Sequence, residues 1–308
     1  MLDVSKELEG RPFTRVADFS RDELELVLDT AARMKRAPRE DQHVLPGRSL
    51  GMIFQKPSTR TRVSFEVGIA QLGGHALYLR SDDLQLGRGE TIKDTAVVLS
   101  RYLDAIMIRT FAQKDVEELA GNASIPVING LTDSAHPCQA LADVLTIRER
   151  LGRIEGVRVA YLGDGNNVCS SLMVAVARLG GSFVAATPPG YEPDEKALAI
   201  AREPGGQVEV TNDPEEAVRD ADVLYTDVWT SMGQEEERER RLRDLAGYGI
   251  TSELVAKAAD GAIVLHCLPA HYGEEITEEV VYGPSSAVWD QAENRLHAQK
   301  ALLELLLG

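Results

Sequence analysis

The sequence predicts an α/β protein: two doubly wound parallel-sheet domains joined by helices, with the site in the cleft between them. Three observations carry that expectation. Short apolar runs of strand length, such as Ser49–Phe54, Ala105–Ile108 and Val157–Leu162, alternate with segments of helical period along the chain. The pattern restarts past Gly152 and Gly156, so residues 1–150 and 151–289 each form a domain, and a terminal helix over 290–308 packs back on the first. A chain of 308 residues suits two domains of ordinary size.

Charge and cysteine content narrow the class. The formal net charge is −16 and the isoelectric point is near 4.9, which excludes a nucleic-acid or anionic-membrane partner and requires any anionic substrate to be held by locally concentrated arginines. Cys138, Cys169 and Cys267 are an odd, scattered set, and no apolar leader or spanning run appears, so the expectation is a soluble cytosolic protein.

Taken in order, Ser20-x-x-Glu23 is a capping box that opens an amphipathic helix to about Lys35. Ser49–Phe54 reads as a buried strand, and Val63, Val67 and Ala70 fall at helical spacing after it. The turn between them holds Ser58, Thr59, Arg60 and Thr61, with Arg62 following. Free amides at a helix start, hydroxyls and guanidiniums all present donors to a phosphate, and the helix dipole adds its positive end. The plain alternative is a Ser/Thr cap with solvated arginines. After a strand at His75–Leu79, the polar segment Arg80–Glu90, with Gln85 at its middle, exceeds the usual connection length of about 4–6 residues and reads as a working loop. A helix over Thr91–Leu103 leads to the strand Ala105–Ile108, and Arg109 at its carboxyl end sits where open α/β sheets bind ligands. A helix from about Lys114 to Ala120 and a strand Pro126–Ile128 then precede His136-Pro137-Cys138-Gln139, which opens another helix with Pro137 well placed at its start. The positive helix end keeps His136 neutral, as a donor to a carbonyl.

In the second half, Val157–Leu162 turns through Gly163-Asp-Gly165-Asn166-Asn167 into a helix. Gly-x-Gly invites a dinucleotide reading. The third glycine position holds Val168 and no carboxylate follows about 20 residues later, so the fingerprint is incomplete. Strands at Ser182–Ala186, Gln207–Thr211 and Asp222–Tyr225 follow. Asp227 and Ser231-Met232-Gly233 come after one strand, and His266-Cys267-Leu268-Pro269 after the run Ala262–Leu265. The charged run Glu235–Asp244 has Leu242 as its only apolar residue and reads as a solvated face or a movable lid. Asp290-x-x-Glu293 opens the last helix, which puts Arg295 near its positive end, a mismatch that a bound anion relieves.

Together these motifs resemble the ornithine carbamoyltransferases, within the aspartate/ornithine carbamoyltransferase superfamily, over nearly the whole chain. Ser58-Thr-Arg-Thr61 and His136-Pro are shared with the aspartate branch, whereas Ser231-Met-Gly233 and His266-Cys-Leu-Pro269 are similar to the ornithine branch. The resemblance implies transfer of a carbamoyl group from carbamoyl phosphate to the δ-amine of L-ornithine, with no cofactor and no metal. It assigns Ser58, Thr59, Arg60, Thr61 and Arg109 to the phosphate. His136, Gln139 and Arg295, with Pro137 and Cys138 beside them, go to the carbamoyl group, and Gln85 arrives from a neighbouring subunit of a homotrimer. Asn167, Asp227, Ser231 and Met232 would meet ornithine. Cys267 and Leu268 would lie beside the reacting amine, so that Arg109, His136, Asp227 and Cys267 form the catalytic set. Two other readings stand beside this one: a carbamoyltransferase for another amine, such as acetylornithine or putrescine, and a catalytically silent binding protein on the same fold.

Overall fold

The computed structural model describes residues 4–37, 43–80, 84, 89–203, 205–230 and 235–308. The chain divides into two compact units, Met1–Leu145 with Asn294–Gly308, and Thr146–Glu293. The helices Pro137–Leu151 and Val288–Leu307 carry the chain through the two boundaries. Among the described residues, no helix is long and apolar enough to cross a membrane.

In the first unit, β1 (Ser49–Phe54), β2 (His75–Arg80), β3 (Ala105–Arg109) and β4 (Val127–Leu131) form a parallel sheet in the order β2-β1-β3-β4. Both β1 and β3 are buried at every position, as central parallel strands covered on both faces must be. The edge strand β2 alternates between exposed and half-buried instead. Because the order reverses between β1 and β3, the register that pairs Phe54 with Arg109 brings the loop after β1 next to the end of β3. Ser58 caps the helix Thr59–Gln71 after β1, its hydroxyl accepting from Thr61 N at 3.2 Å. The helix predicted there is present, but the buried side is different. Thr61, Ser64, Phe65, Gly68 and Ile69 face inward, whereas Val63, Val67 and Ala70 are exposed. Periodicity located an apolar stripe that this unit does not cover.

In the second unit, β5 (Arg158–Leu162), β6 (Ser182–Ala186), β7 (Gln207–Thr211), β8 (Val223–Thr226) and β9 (Ile263–His266) form a parallel sheet ordered β7-β6-β5-β8-β9. Its reversal lies between β5 and β8. Leu162, Thr226 and His266 align across the three neighbouring strands, so the loops after β5, β8 and β9 leave the sheet side by side. Tyr161 and Tyr225, opposite each other on β5 and β8, stack with ring centroids 5.6 Å apart.

The two glycines after β5 serve the backbone. Gly163 has φ +116°, a conformation that side chains disfavour, and Gly165 donates its N–H to Tyr191 O at 2.8 Å. A Cβ on Gly165 would lie 2.4 Å from Pro193 N. That approach explains a Gly-x-Gly turn without any pyrophosphate. Gly165→Ala should therefore destabilise the chain by about 1–3 kcal/mol through overpacking, read as a lower urea midpoint in equilibrium unfolding; an unchanged midpoint would show that the 190s segment yields freely.

Candidate active site

The first unit gathers its polar groups around Thr61. Ser58 places the first turn of its helix, and the Thr61 hydroxyl accepts from Arg109 Nη1 at 3.4 Å and from Arg295 Nη2 at 3.2 Å. Arg295 also donates to Gln139 Oε1 at 2.8 Å and to Gln299 Oε1 at 3.0 Å, and Gln139 donates to Asp143 Oδ1 at 2.7 Å. All of these side chains except Ser58 are buried. Lys56, also buried, pairs with Asp133 and lies 4.4 Å above the Phe111 ring, which ties the loop after β1 to the one after β4.

His136 lies just before the helix Pro137–Leu151, with its carbonyl accepting from Gln139 N and Ala140 N. Burial holds its pKa well below 6.5, and Arg295, Arg109 and Arg60 push it the same way. Neutrality was expected from the helix dipole; burial and three guanidiniums supply it here. Cys138 is buried with its thiol donating to Asn129 O at 3.3 Å, and burial pushes that thiol up to about 12. It is a packing residue with a firmly held proton. Arg295 stands eight residues into a helix that begins at Val288, not near a start at Asp290. The dipole argument for an anion there fails, since that effect fades within the first turn. What places Arg295 is its contact with Thr61 and Gln139.

The second unit builds a different cluster from the ends of β5, β8 and β9. Asn166 caps the helix Asn167–Arg178, its Oδ1 accepting from Val168 N and Cys169 N, while its Nδ2 donates to Asp227 Oδ2 at 2.8 Å. Tyr161 donates to the same Oδ1 at 3.2 Å. The Cys267 thiol donates to Asp227 Oδ1 at 2.9 Å, so the carboxylate is gripped on both oxygens. Asn167 is half-buried at the first position of that helix. Leu268 has φ +57°, a conformation uncommon for a non-glycine residue, and donates its N–H to His266 Nδ1 at 2.8 Å. Half-buried Asp164 is raised to about 6, by desolvation first, with Arg241 opposing and Asp227 adding to the shift. Gln85, Ser231 and Met232 lie outside the described residues.

Two family models match the chain. The aspartate/ornithine carbamoyltransferase carbamoyl-P binding domain matches residues 11–149, and the Asp/Orn binding domain of the same family matches residues 155–306. The chain belongs to the aspartate/ornithine carbamoyltransferase family. This member is 57% identical over 307 residues to the ornithine carbamoyltransferase of Pyrococcus horikoshii, covering 98% of this chain and 97% of the relative. It is similar in structure to the ornithine carbamoyltransferase of Pyrococcus furiosus, with TM-score 0.94, 56% identity and 98% of each chain covered. The Thermus thermophilus enzyme follows at TM-score 0.88 and 45% identity, covering 96% of this chain and 98% of its own.

Sequence reasoning about this carbamoyltransferase family member missed three supporting residues. Asn166 was read only as part of a turn, although an Asn before a helical run is an N-cap signal that could have drawn notice. Buried Arg241 pairs with half-buried Asp164, donates to Trp229 O and lies 5.0 Å from the centroid of the Tyr191 ring. The run Glu235–Asp244 is therefore attached to its unit by a buried arginine as well as by Leu242. A guanidinium inside a charged run gives no sign in sequence that it will be buried.

The low pKa of His136 has a measurable consequence. Its depressed folded value means that neutral burial stabilises the fold above the unfolded pKa of 6.5 and that this contribution is lost as pH falls. In a proton NMR titration, the His136 ring signals should stay at their neutral positions from about pH 7.5 to about pH 5.5, where free histidine changes. A midpoint near the ordinary value would show that the ring is not buried among these guanidiniums.

Proposed function

We propose that this chain transfers the carbamoyl group of carbamoyl phosphate to the δ-amine of L-ornithine, giving L-citrulline and phosphate as a step of arginine biosynthesis. The observation that carries the reading is the opposite sign of the two clusters. In an acidic protein, Arg60, Arg109 and Arg295 converge on a neutral histidine in one unit. In the other, Tyr161 is pushed well above 10.0 by burial and then by Asp227, Cys169, Asp164 and Cys267, which marks a negative field. The first suits a phosphate dianion. The second suits a diamino acid better than a dicarboxylic one, which favours ornithine over aspartate.

Ser58, Thr59, Arg60, Thr61 and Arg109 hold the phosphate in this reading. His136, Gln139 and Arg295 take the carbamoyl oxygen and amide, with Pro137 and Cys138 fixing the backbone beside them. Asn167, Asp227, Ser231 and the Met232 backbone hold the α-groups of ornithine, and Cys267 with the Leu268 carbonyl flanks the δ-nitrogen. The nitrogen lone pair attacks the carbamoyl carbon, charge grows on the carbonyl oxygen and passes to the departing phosphate, and fixed donors at both places lower the barrier. A neutral imidazole supplies a donor without transferring full charge. An attacking amine must shed a proton, and the Asp227–Cys267 pair, which already shares one, is the local group that accepts it.

We further propose a cytoplasmic homotrimer whose sites are shared, with Gln85 reaching a neighbour's phosphate. The three free cysteines suit a reducing compartment. Exposed Val63, Val67, Leu77, Val97, Val98 and Tyr102 lie on elements before and after the Gln85 segment, and apolar side chains of that number suit burial against a second copy.

Radiolabelled carbamoyl phosphate offered with L-ornithine, acetylornithine, putrescine and L-aspartate should label product with ornithine; label in another product, or in none, decides for a rival reading. Arg60→Ala should lose about 3–5 kcal/mol of transition-state stabilisation with melting unchanged, because a charged contact to the phosphate disappears; near-normal kcat/KM would dismiss the loop after β1 as the phosphate site. Sharing is tested by co-refolding inactive Arg60→Ala and Gln85→Glu chains. Random trimers are mixed about three times in four, and each mixed ring has one intact site in three, so about a quarter of wild-type activity should return. Hybrids verified by mass spectrometry that regain nothing would mean Gln85 serves its own chain.

A further inference from the structure

Beyond β9, His271, Glu274 and Glu275 bring three acceptor atoms together that the transfer reaction does not use. Each of the three residues offers one ligand atom, and these atoms all lie within 4.8 Å of one another. His271 Nδ1 is 3.8 Å from Glu274 Oε2 and 3.9 Å from Glu275 Oε2, too far for a hydrogen bond. All three atoms are shut off from solvent without a hydrogen-bond partner. For Glu275, whose side chain is 0% exposed, an unsatisfied carboxylate oxygen is costly. That oxygen has the His271 imidazole as its neighbour.

The opposite oxygen of each carboxylate is already occupied. Glu275 Oε1 accepts from His271 N at 2.6 Å and from His266 Nε2 at 3.1 Å, and Glu274 Oε1 pairs with Arg238. Leu268 N–H donates to His266 Nδ1, which leaves the ring proton on Nε2 and fixes the direction of that bond. Donors of this kind orient carboxylates that bind metals, leaving one oxygen of each aimed inward. The backbone sets the turn, with Glu274 N donating to His271 O and Gly273 N to Ile276 O, each at 3.0 Å.

We propose that His271 Nδ1, Glu274 Oε2 and Glu275 Oε2 bind one divalent transition-metal ion of the zinc class, with water completing the coordination. One imidazole and two carboxylates form an ordinary donor set for such an ion, whose bonds are about 2.0–2.2 Å long. Closing the present spacings to that geometry takes only modest side-chain rotation, and the His271 side chain, 42% exposed, has room to make it and leaves a path for entry. The ion would tie the loop that carries Cys267 and Leu268 to the helix Arg238–Asp244 through Glu274 and Arg238. A second group, Asp227, His266 and Cys267, also falls within ligand spacing. Both ring nitrogens of His266 are engaged, so that group offers only a carboxylate and a thiol.

Co²⁺ distinguishes the two, because thiolate coordination adds an intense near-ultraviolet band that nitrogen and oxygen ligands lack. The tag-free full chain, freed of metal with EDTA and titrated with Co²⁺, should bind one ion with weak visible bands only and melt at a higher temperature when loaded. His271→Ala and Glu274→Gln should each weaken binding at least tenfold with metal-free melting unchanged, and Cys267→Ser should bind as the parent does. Three results overturn the site: no Co²⁺ bound, which leaves a bridging water as occupant; full affinity in His271→Ala; or a thiolate band that vanishes in Cys267→Ser.

Discussion

The polar cluster of the first unit is gathered on one hydroxyl. Thr61 Oγ1 accepts from two guanidiniums, Arg109 at the end of β3 and Arg295 in the last helix, and it is fixed by the helix turn that Ser58 caps. Residues separated by 48 and 234 positions in the chain are thereby held at one point. Burying two like charges side by side is unfavourable, and the oxygens of Thr61, Gln139 and Gln299 offset part of that cost. A dianion placed among these groups would turn the repulsion into attraction.

The second unit solves the opposite problem. Asp227 is buried, yet both of its oxygens are satisfied, one by Asn166 and one by Cys267. Tyr161 feeds a hydrogen bond into the same asparagine, and Gln291 links Tyr225 to the His266 backbone, accepting from His266 N and donating to the Tyr225 hydroxyl. The network is connected through strands β5, β8 and β9, so displacing any one loop would strand a buried polar group. Leu268 in its left-handed conformation stands at the edge of this network, held by His266. Strain of that kind persists only where neighbours over-determine it.

The alternation of buried apolar runs with helical periods was legible because it depends on local properties. Strand β1 appears with the bounds read from its apolar run, Ser20 and Glu23 form their capping box, and the polar residues at strand ends lie where an open parallel sheet exposes them. The family resemblance was legible for a related reason. Short motifs such as Ser58–Thr61 and His136–Gln139 sit at strand-to-helix turns, where open parallel sheets present ligand-facing groups.

By itself, then, the sequence determined the fold class, the family and the residues that carry opposite charge in the two units. Only the tertiary structure decided which side of the helix Thr59–Gln71 is buried, why His136 is neutral, and what holds Arg241 and Arg295. Each of these rests on contacts between residues far apart in the chain. Periodicity identifies an apolar stripe but not what covers it, as exposed Val63 and Val67 demonstrate. Likewise a charged side chain is buried or solvated according to the partners that packing brings to it, and no local pattern around Arg241 contains Asp164.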